Sequence, residues 1–239
     1  MLEQIRQSRS VVLVIISALA LAFAAVASAE DTELVDVSKQ TSEIQKKIDQ
    51  LRGQGRWARQ GKLSAAAVCE DEGSSQIFAP WGDTAEYVPA PQGDVEVTGD
   101  WDVNDHAGVV DGNSPFSNGS HSLLLTEGGE ATTPVLCIST FHPTIRFFGR
   151  NSGSASSRLE ISIVYEDLDG HTKALKIARL RGGDEWAPSV VVPIYMNMLA
   201  AASENGVTAV ALRFKAKDVK SKSAGWQIDD LSVDPWKDT

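Results

Sequence analysis

The stretch RLEISIVYED, residues 158–167, decides the fold. Leu159, Ile161, Ile163 and Tyr165 share one side of an extended chain, and Glu160, Ser162 and Glu166 share the other, with Val164 the exception. Successive side chains of a strand point to opposite faces, so this alternation predicts a strand with one buried face. A strand of a parallel sheet, covered on both faces, reads instead as a continuous apolar run. The segment therefore calls for an antiparallel sheet packed on one side.

The neighbouring sequence repeats the pattern. In TIRFFGR, residues 144–150, Ile145 and Phe147 lie opposite Arg146 and Phe148, so one face must hide an aromatic ring or expose one. In TAVALRFKA, residues 208–216, Val210, Leu212 and Phe214 alternate with Ala209, Ala211 and Arg213. From Cys69 onward, β-branched and aromatic runs are separated by Gly, Pro, Asn, Asp and Ser clusters, the texture of an all-β domain. The predicted strands are Gln76 to Phe78, Glu86 to Val88, Val95 to Thr98, Ser122 to Leu125, Val135 to Ser139 and Thr144 to Gly149. They continue with Leu159 to Glu166, Thr172 to Ala178, Ser189 to Ile194, Ala209 to Ala216 and Trp226 to Val233. That is more than one sheet needs, and it predicts a jelly-roll-like sandwich of two antiparallel sheets. PIYMNMLAAAS, residues 193–203, sets Tyr195, Met198, Leu199 and Ala202 at helical spacing and predicts a short helix across one opening of the sandwich.

The chain starts differently. Residues 1–29 carry Arg6 and Arg9, then apolar or small residues from Val11 to Ala27, then Ala27-Ser28-Ala29. This is the layout of a secretory signal peptide. The alternative is a retained membrane anchor over residues 11–27. The exported portion is expected to be extracellular or attached to the cell envelope. Loss of residues 1–29 changes the formal charge from −10 to −11. So acidic a chain repels phosphate backbones, which argues against a nucleic-acid partner. Cys69 and Cys137, an even pair in an exported chain, are expected to form one disulfide. Closing a loop of roughly 70 residues, it contributes about 4 kcal/mol in the chain-entropy account.

Residues 30–62 are polar, without proline and periodic. Leu34, Val37, Thr41, Ile44, Ile48 and Leu51 alternate spacings of three and four, which places them on one helical stripe. Two readings follow: a coiled-coil stalk that self-associates through residues 34–51, or a helix laid against the globular domain. Residues 63–68 read as a linker, and residues 69–239 as the β-sandwich domain.

Few residues point to chemistry. His106, His121, His142 and His171 are scattered, and none has a second His or a Cys at zinc spacing. No serine stands in a nucleophile-elbow motif, and no phosphate loop precedes a helix, so no enzymatic activity is expected, a hydrolase built from distant triad members being the lesser alternative. Trp81, Asp83, Trp101, Asp102 and Asn104 are the ligand-binding candidates: indole faces stack on sugars, and the polar neighbours supply directional contacts. At the same time, either tryptophan is equally suited to plugging the core. Asp111 and Asn113, in a loop dense in oxygen ligands, and Asp229 with Asp230 are candidates for a structural calcium. The same residue types are ordinary turn formers. Asn118-Gly119-Ser120 has the form of a glycosylation acceptor.

The closing segment GWQIDDLSVDPW, residues 225–236, has no cleanly apolar side. Trp226 and Ile228 share a side with Asp230, while Leu231 and Val233 share the other with Asp229. Either a bulge changes the phase at Asp229-Asp230, or one Asp enters a shielded region with its neighbour left to solvent. Alternation separates the two carboxylates, which argues against a paired-carboxylate hydrolytic mechanism. Trp226 to Val233 resembles the last strand of extracellular jelly-roll modules of the MAM type and of galactose-binding-like or carbohydrate-binding-module-like sandwiches. Together with CEDEGSSQIFAPWGDTAEY (69–87), GNSPF (112–116) and HPTIRFFGRN (142–151), it is similar to uncharacterised exported proteins of actinobacterial type. The resemblance implies a binding or interaction module for a glycan or an extracellular protein, or a structural envelope domain, and supplies no catalytic residue.

Overall fold

The computed structural model describes residues 32–67 and 73–234. The expected leader or anchor, and Cys69, lie outside the described residues. Among the described residues no helix is long and apolar enough to cross a membrane.

The chain folds as a sandwich of two antiparallel sheets. The first sheet is built on β9 (Arg158–Glu166), β10 (Thr172–Leu180) and β13 (Val207–Lys217). Short strands extend it: β1 (Glu33–Leu34), β3 (Asp102–Val103), β6 (Glu130–Thr132) and β7 (Leu136–Ser139). The second is built on β8 (Thr144–Asn151) and β14 (Trp226–Asp234), with β5 (His121–Leu125) and β4 (Ala107–Asp111) outside β14. Three short strands complete it: β11 (Ala187–Pro188) and β12 (Val192–Pro193) along β8, and β2 (Val88–Pro89) on β14.

The parity read from sequence sets the core. Leu159, Ile161 and Ile163 of β9, Val210, Leu212 and Phe214 of β13, and Ile145 and Phe147 of β8 all face inward into one buried cluster. β13 pairs with β9 from Val210 opposite Tyr165 to Lys217 opposite Arg158, so the two alternations are in step. Phe147 meets Phe214 across the sheets edge to face, with ring centres 5.5 Å apart.

β14 needs a phase change to contribute to this core, and it has one. Trp226 and Ile228 face inward before the irregularity between Asp229 and Ser232, and Leu231 and Val233 face inward after it. Asp230 takes the left-handed conformation there, with φ of 49°. One extra residue thus turns two apolar half-patterns of opposite parity into one buried face. Trp226 also donates from Nε1 to Ser157 Oγ at 2.7 Å.

Of the two readings of the N-terminal helix α1 (Ser38–Gly53), its burial fits a helix laid against the globular domain. Its stripe is covered by its own domain: Val37 and Ile48 are buried, Ile48 inside the main core, while Thr41, Ile44 and Leu51 are half-buried. Leu34 lies outside the helix, in β1, which pairs with the edge strand β10. Of the stripe read as a self-association surface, Ile44 and Ile48 pack into the core of the domain, while Leu34 is exposed. Residues 63–66 of the stretch read as linker lie in α2 (Lys62–Ala66), and Glu166 of β9 holds its first turn. The Glu166 carboxylate accepts from Gly61 N at 2.9 Å, Leu63 N at 2.6 Å and Ser64 Oγ at 2.6 Å.

Other boundaries also shift. Gln76 to Phe78 leads into a 3-10 helix, Ala79–Trp81, and Val95 to Thr98 is no strand, although Val95 is buried. β4 falls in a stretch read as an Asp-rich loop, since AGVVD has no alternation and its first four residues are half-buried. The helix expected after Ile194 is a 3-10 helix, Met196–Ala202, which buries Met196, Leu199, Ala200 and Ala202.

Candidate functional site

The outward side of β8 carries Arg146, Phe148 and Arg150, and Phe148 is fully buried. Its cover comes from the loop before β2, where Phe78 stands with its ring centre 5.1 Å from Phe148 and 4.9 Å from Tyr87. Above this second, smaller core sit Trp81 and Phe116. Their ring centres are 4.6 Å apart, edge to face, and lie 5.3 Å and 5.1 Å from Phe148. Both remain open to solvent, Trp81 at 39% and Phe116 at 45%. Two large rings are therefore fixed from below while their upper faces stay free.

The polar groups beside them are ordered. Arg146 pairs with Asp83 at 2.6 Å, donates to Ser189 O at 2.8 Å and lies over the Phe78 ring at 4.6 Å. Tyr87 donates to the same Asp83 carboxylate at 2.8 Å. Burial pushes Asp83 up, but the hydrogen bonds from Tyr87 and Arg146 outweigh it and hold the group below its ordinary value. Burial, and then Asp83, pushes the Tyr87 hydroxyl up. Four residues beyond Arg146 on β8, Arg150 donates to Gln227 Oε1 at 2.6 Å, and Gln227 donates to Ser122 Oγ at 3.1 Å. Arg150 also lies over Trp186, 5.2 Å from the ring centre. This outer face can offer apolar ring surface beside a row of fixed donors and acceptors. Its cations are already paired or stacked.

The residues chosen from sequence separate. Trp81 is on the patch, and Asp83 lies beneath it as the anchor of Arg146. Trp101 is corrected from ligand platform to core: it is 4% exposed, tilted against Phe214 at 6.2 Å, and donates from Nε1 to Gln92 O. Asp102 and Asn104 belong to the first sheet's edge, away from the face that carries Trp81. Asn104 is a turn organiser there, accepting from His106 N and Glu130 N and donating to Gly128 O. Sequence reasoning missed Phe116, Arg150, Gln227 and Trp186. The available signal was the outward Phe148 of TIRFFGR, which had to be covered by something.

The acidic candidates also part. Asp111 has a fully exposed side chain, 3.5 Å from His121 Nε2. Asn113 reaches Ser117 O at 3.5 Å. Asp229, 1% exposed, accepts from Ser114 N at 2.7 Å and from Asp230 N at 2.8 Å. Burial pushes its carboxyl up to about 7 despite those bonds, with the Asp230 charge adding to the rise. Asp230 is half-buried, so neither of the pair is left largely to solvent as one of them was expected to be. Its carboxyl is raised by burial, and its Oδ2 is buried with no hydrogen-bond partner. Among the described residues, one His/Asp trio brings ligand atoms within 4.8 Å of one another: Asp167, Asp169 and His171. Their turn accounts for them, since Asp167 Oδ1 accepts from Asp169 N and His171 N.

No family model and no curated protein matches the chain. Among solved structures, it is similar to the enzymatically active domain of the Bacteriophage CBA120 tailspike protein 4, with 15% identity and a TM-score of 0.42. That match covers 61% of this chain but 21% of the tailspike chain. It is also similar to the CBM22-1 xylan-binding domain from Paenibacillus barcinonensis, with 17% identity, a TM-score of 0.41, and coverage of 60% of this chain and 90% of that one. A third is TmCBM61 in complex with β-1,4-galactotriose, with 13% identity, a TM-score of 0.37, and coverage of 60% and 95%.

Proposed function

We propose that this protein is an exported, non-catalytic binding module that holds a glycan on the outer face of its second sheet. One observation carries the reading: Trp81 and Phe116 are exposed as a pair, in ring contact with each other and with the buried Phe148. A pyranose presents an apolar face of C–H groups, and stacking it on a fixed ring costs little conformational entropy at the site. Arg150, half-buried on the same side of β8 and held by the buried Gln227 and Ser122, supplies a directional contact of the kind that hydroxyl groups need. Export is supported by the leader at residues 1–29.

Full-chain protein run through gels containing soluble plant and bacterial polysaccharides tests this. Trp81→Ala and Phe116→Ala are each expected to lower affinity for the retarding polysaccharide about tenfold, as the loss of one stacking ring implies. Their melting temperatures should stay near that of the parent, because both rings are exposed. Retardation unaltered in both variants would sink the platform, and binding to a protein partner alone would favour the interaction-module reading.

A structural calcium at Asp230 is a second reading, supported by the buried, unpartnered Oδ2. Calcium titrated into chelator-treated protein should raise the melting temperature, and Asp230→Asn should abolish the rise. An equal rise in the variant removes Asp230 from the site.

A further inference from the structure

α1 and the segment after it wall a pocket of about 190 Å³. Trp57 stands in its wall, half exposed, with Lys47, Arg56, Arg59, Gln50 and Gln54 around it. The backbone carrying the indole is pinned on both sides. Arg56 N donates to Leu51 O at 3.0 Å, Ala58 N to Ala202 O at 2.8 Å, and Arg59 N to Leu168 O at 3.1 Å. An exposed tryptophan on a tethered backbone is positioned before any ligand arrives.

The charge of the pocket runs against that of the chain. Three cations line it against one carboxylate, Asp169, in a protein of formal charge −10. Neither Lys47 nor Arg59 has an ion-pair partner among the described residues, and Arg56 donates only to Gln54 Oε1, at 3.3 Å. On the Trp81 face the arginines are already occupied by Asp83 and Gln227. Uncommitted positive charge beside an exposed indole thus occurs at Trp57.

We infer that the Trp57 pocket is a second ligand site, selective for a carboxylate-bearing sugar ring such as a hexuronate. The indole takes the apolar face of the ring. The guanidinium groups of Arg56 and Arg59, with Lys47, take the carboxylate, which a planar fork binds through paired hydrogen bonds. Gln50 and Gln54 serve the hydroxyls. The volume is well below the roughly 300–1,000 Å³ of sites that enclose drug-sized ligands, so the occupant is a single ring, free or at the end of a chain. A neutral sugar would leave three cations unmatched, and a simple anion would leave the indole unused.

The test is saturation-transfer NMR and equilibrium dialysis of the full chain with glucuronate and galacturonate against glucose and galactose. The acidic sugars should bind and the neutral ones should bind about tenfold more weakly or not at all. Trp57→Ala and the pair Arg56→Gln with Arg59→Gln should each weaken uronate binding about tenfold, and binding should fall with added salt. Trp81→Ala, which tests the other face, should leave uronate binding unchanged, so the two sites fail independently. A melting curve matching the parent shows that each variant is folded. Equal binding of acidic and neutral sugars, no uronate binding, or undiminished uronate binding by folded Trp57→Ala protein overturns the inference.

Discussion

At the scale of single residues, Asp229 shows how a carboxylate comes to stand in an apolar strand. Its two oxygens each accept a backbone N–H, yet burial outweighs those bonds and raises the group from 3.8 to about 7. An acid whose pKa is raised on folding is held protonated in the native state at a pH where the unfolded chain has already ionised. Its contribution to stability is intact below the ordinary value and is lost as pH rises through about 7. In chelator, calorimetry across this interval should show the Asp229→Asn variant losing less stability than the parent with rising pH; parallel curves would remove Asp229 as the cause. Glu166 has the opposite sign. Burial raises it, and hydrogen bonds from Ser64, Gly61 and Leu63 outweigh that and hold it below its ordinary value. Its grip on α2 is therefore complete above the ordinary Glu value and is lost as pH falls through the depressed one. Glu166→Gln should accelerate hydrogen exchange at Gly61, Leu63 and Ser64 near neutral pH, because an amide has one acceptor oxygen where the carboxylate has two. Unchanged exchange in that variant would count against the cap.

At the scale of elements, strands with one buried face were legible. β8, β9, β13 and β14 stand within a few residues of their predicted limits, because period-two alternation reports burial directly. Elements held by non-local cover were not. β4 shows no alternation, and Val95 is buried without being in a strand. For β14, the sequence posed the conflict between Trp226 with Ile228 and Leu231 with Val233. A bulge at a left-handed Asp230, one of the two readings, settled it, and only the backbone geometry chose between them. Tight approach defines a neighbouring position. A side chain on Gly225, just before β14, would meet the carbonyl oxygen of Leu125 on β5. Gly225→Ala should lower the denaturant midpoint without changing the slope, and an unchanged midpoint would show that the strands can part there at no cost.

At the scale of the whole molecule, α1 belongs to the sandwich unit that extends from Glu33 onward. Ile48→Ala should cost about 2–5 kcal/mol, the range for emptying a buried aliphatic site. Sedimentation should show a monomer at all concentrations if the stripe is satisfied internally. A concentration-dependent dimer that Ile48→Ala abolishes would restore the stalk. Cys137 carries no free thiol, and its proposed partner Cys69 lies outside the described residues. Peptide mapping under non-reducing conditions should recover the two cysteines in one linked fragment; an alkylated Cys69 in native protein would refute the bridge.

By itself the sequence determined the all-β class, the two-sheet sandwich, the inward parity of its long strands and the helical stripe ahead of them. Those properties depend on periodicity along the chain, which a linear pattern records. Tertiary structure alone decided what covers what. It put Trp101 into the core and left Trp81 out, and it brought Phe116 from the loop between β4 and β5 to Trp81 and Phe148. It also turned the helical stripe inward and assembled three cations around Trp57. The physical reason is that exposure depends on distant neighbours. An aromatic residue has the same hydrophobicity in a core as on a platform, and only the segment that does or does not pack over it makes the difference.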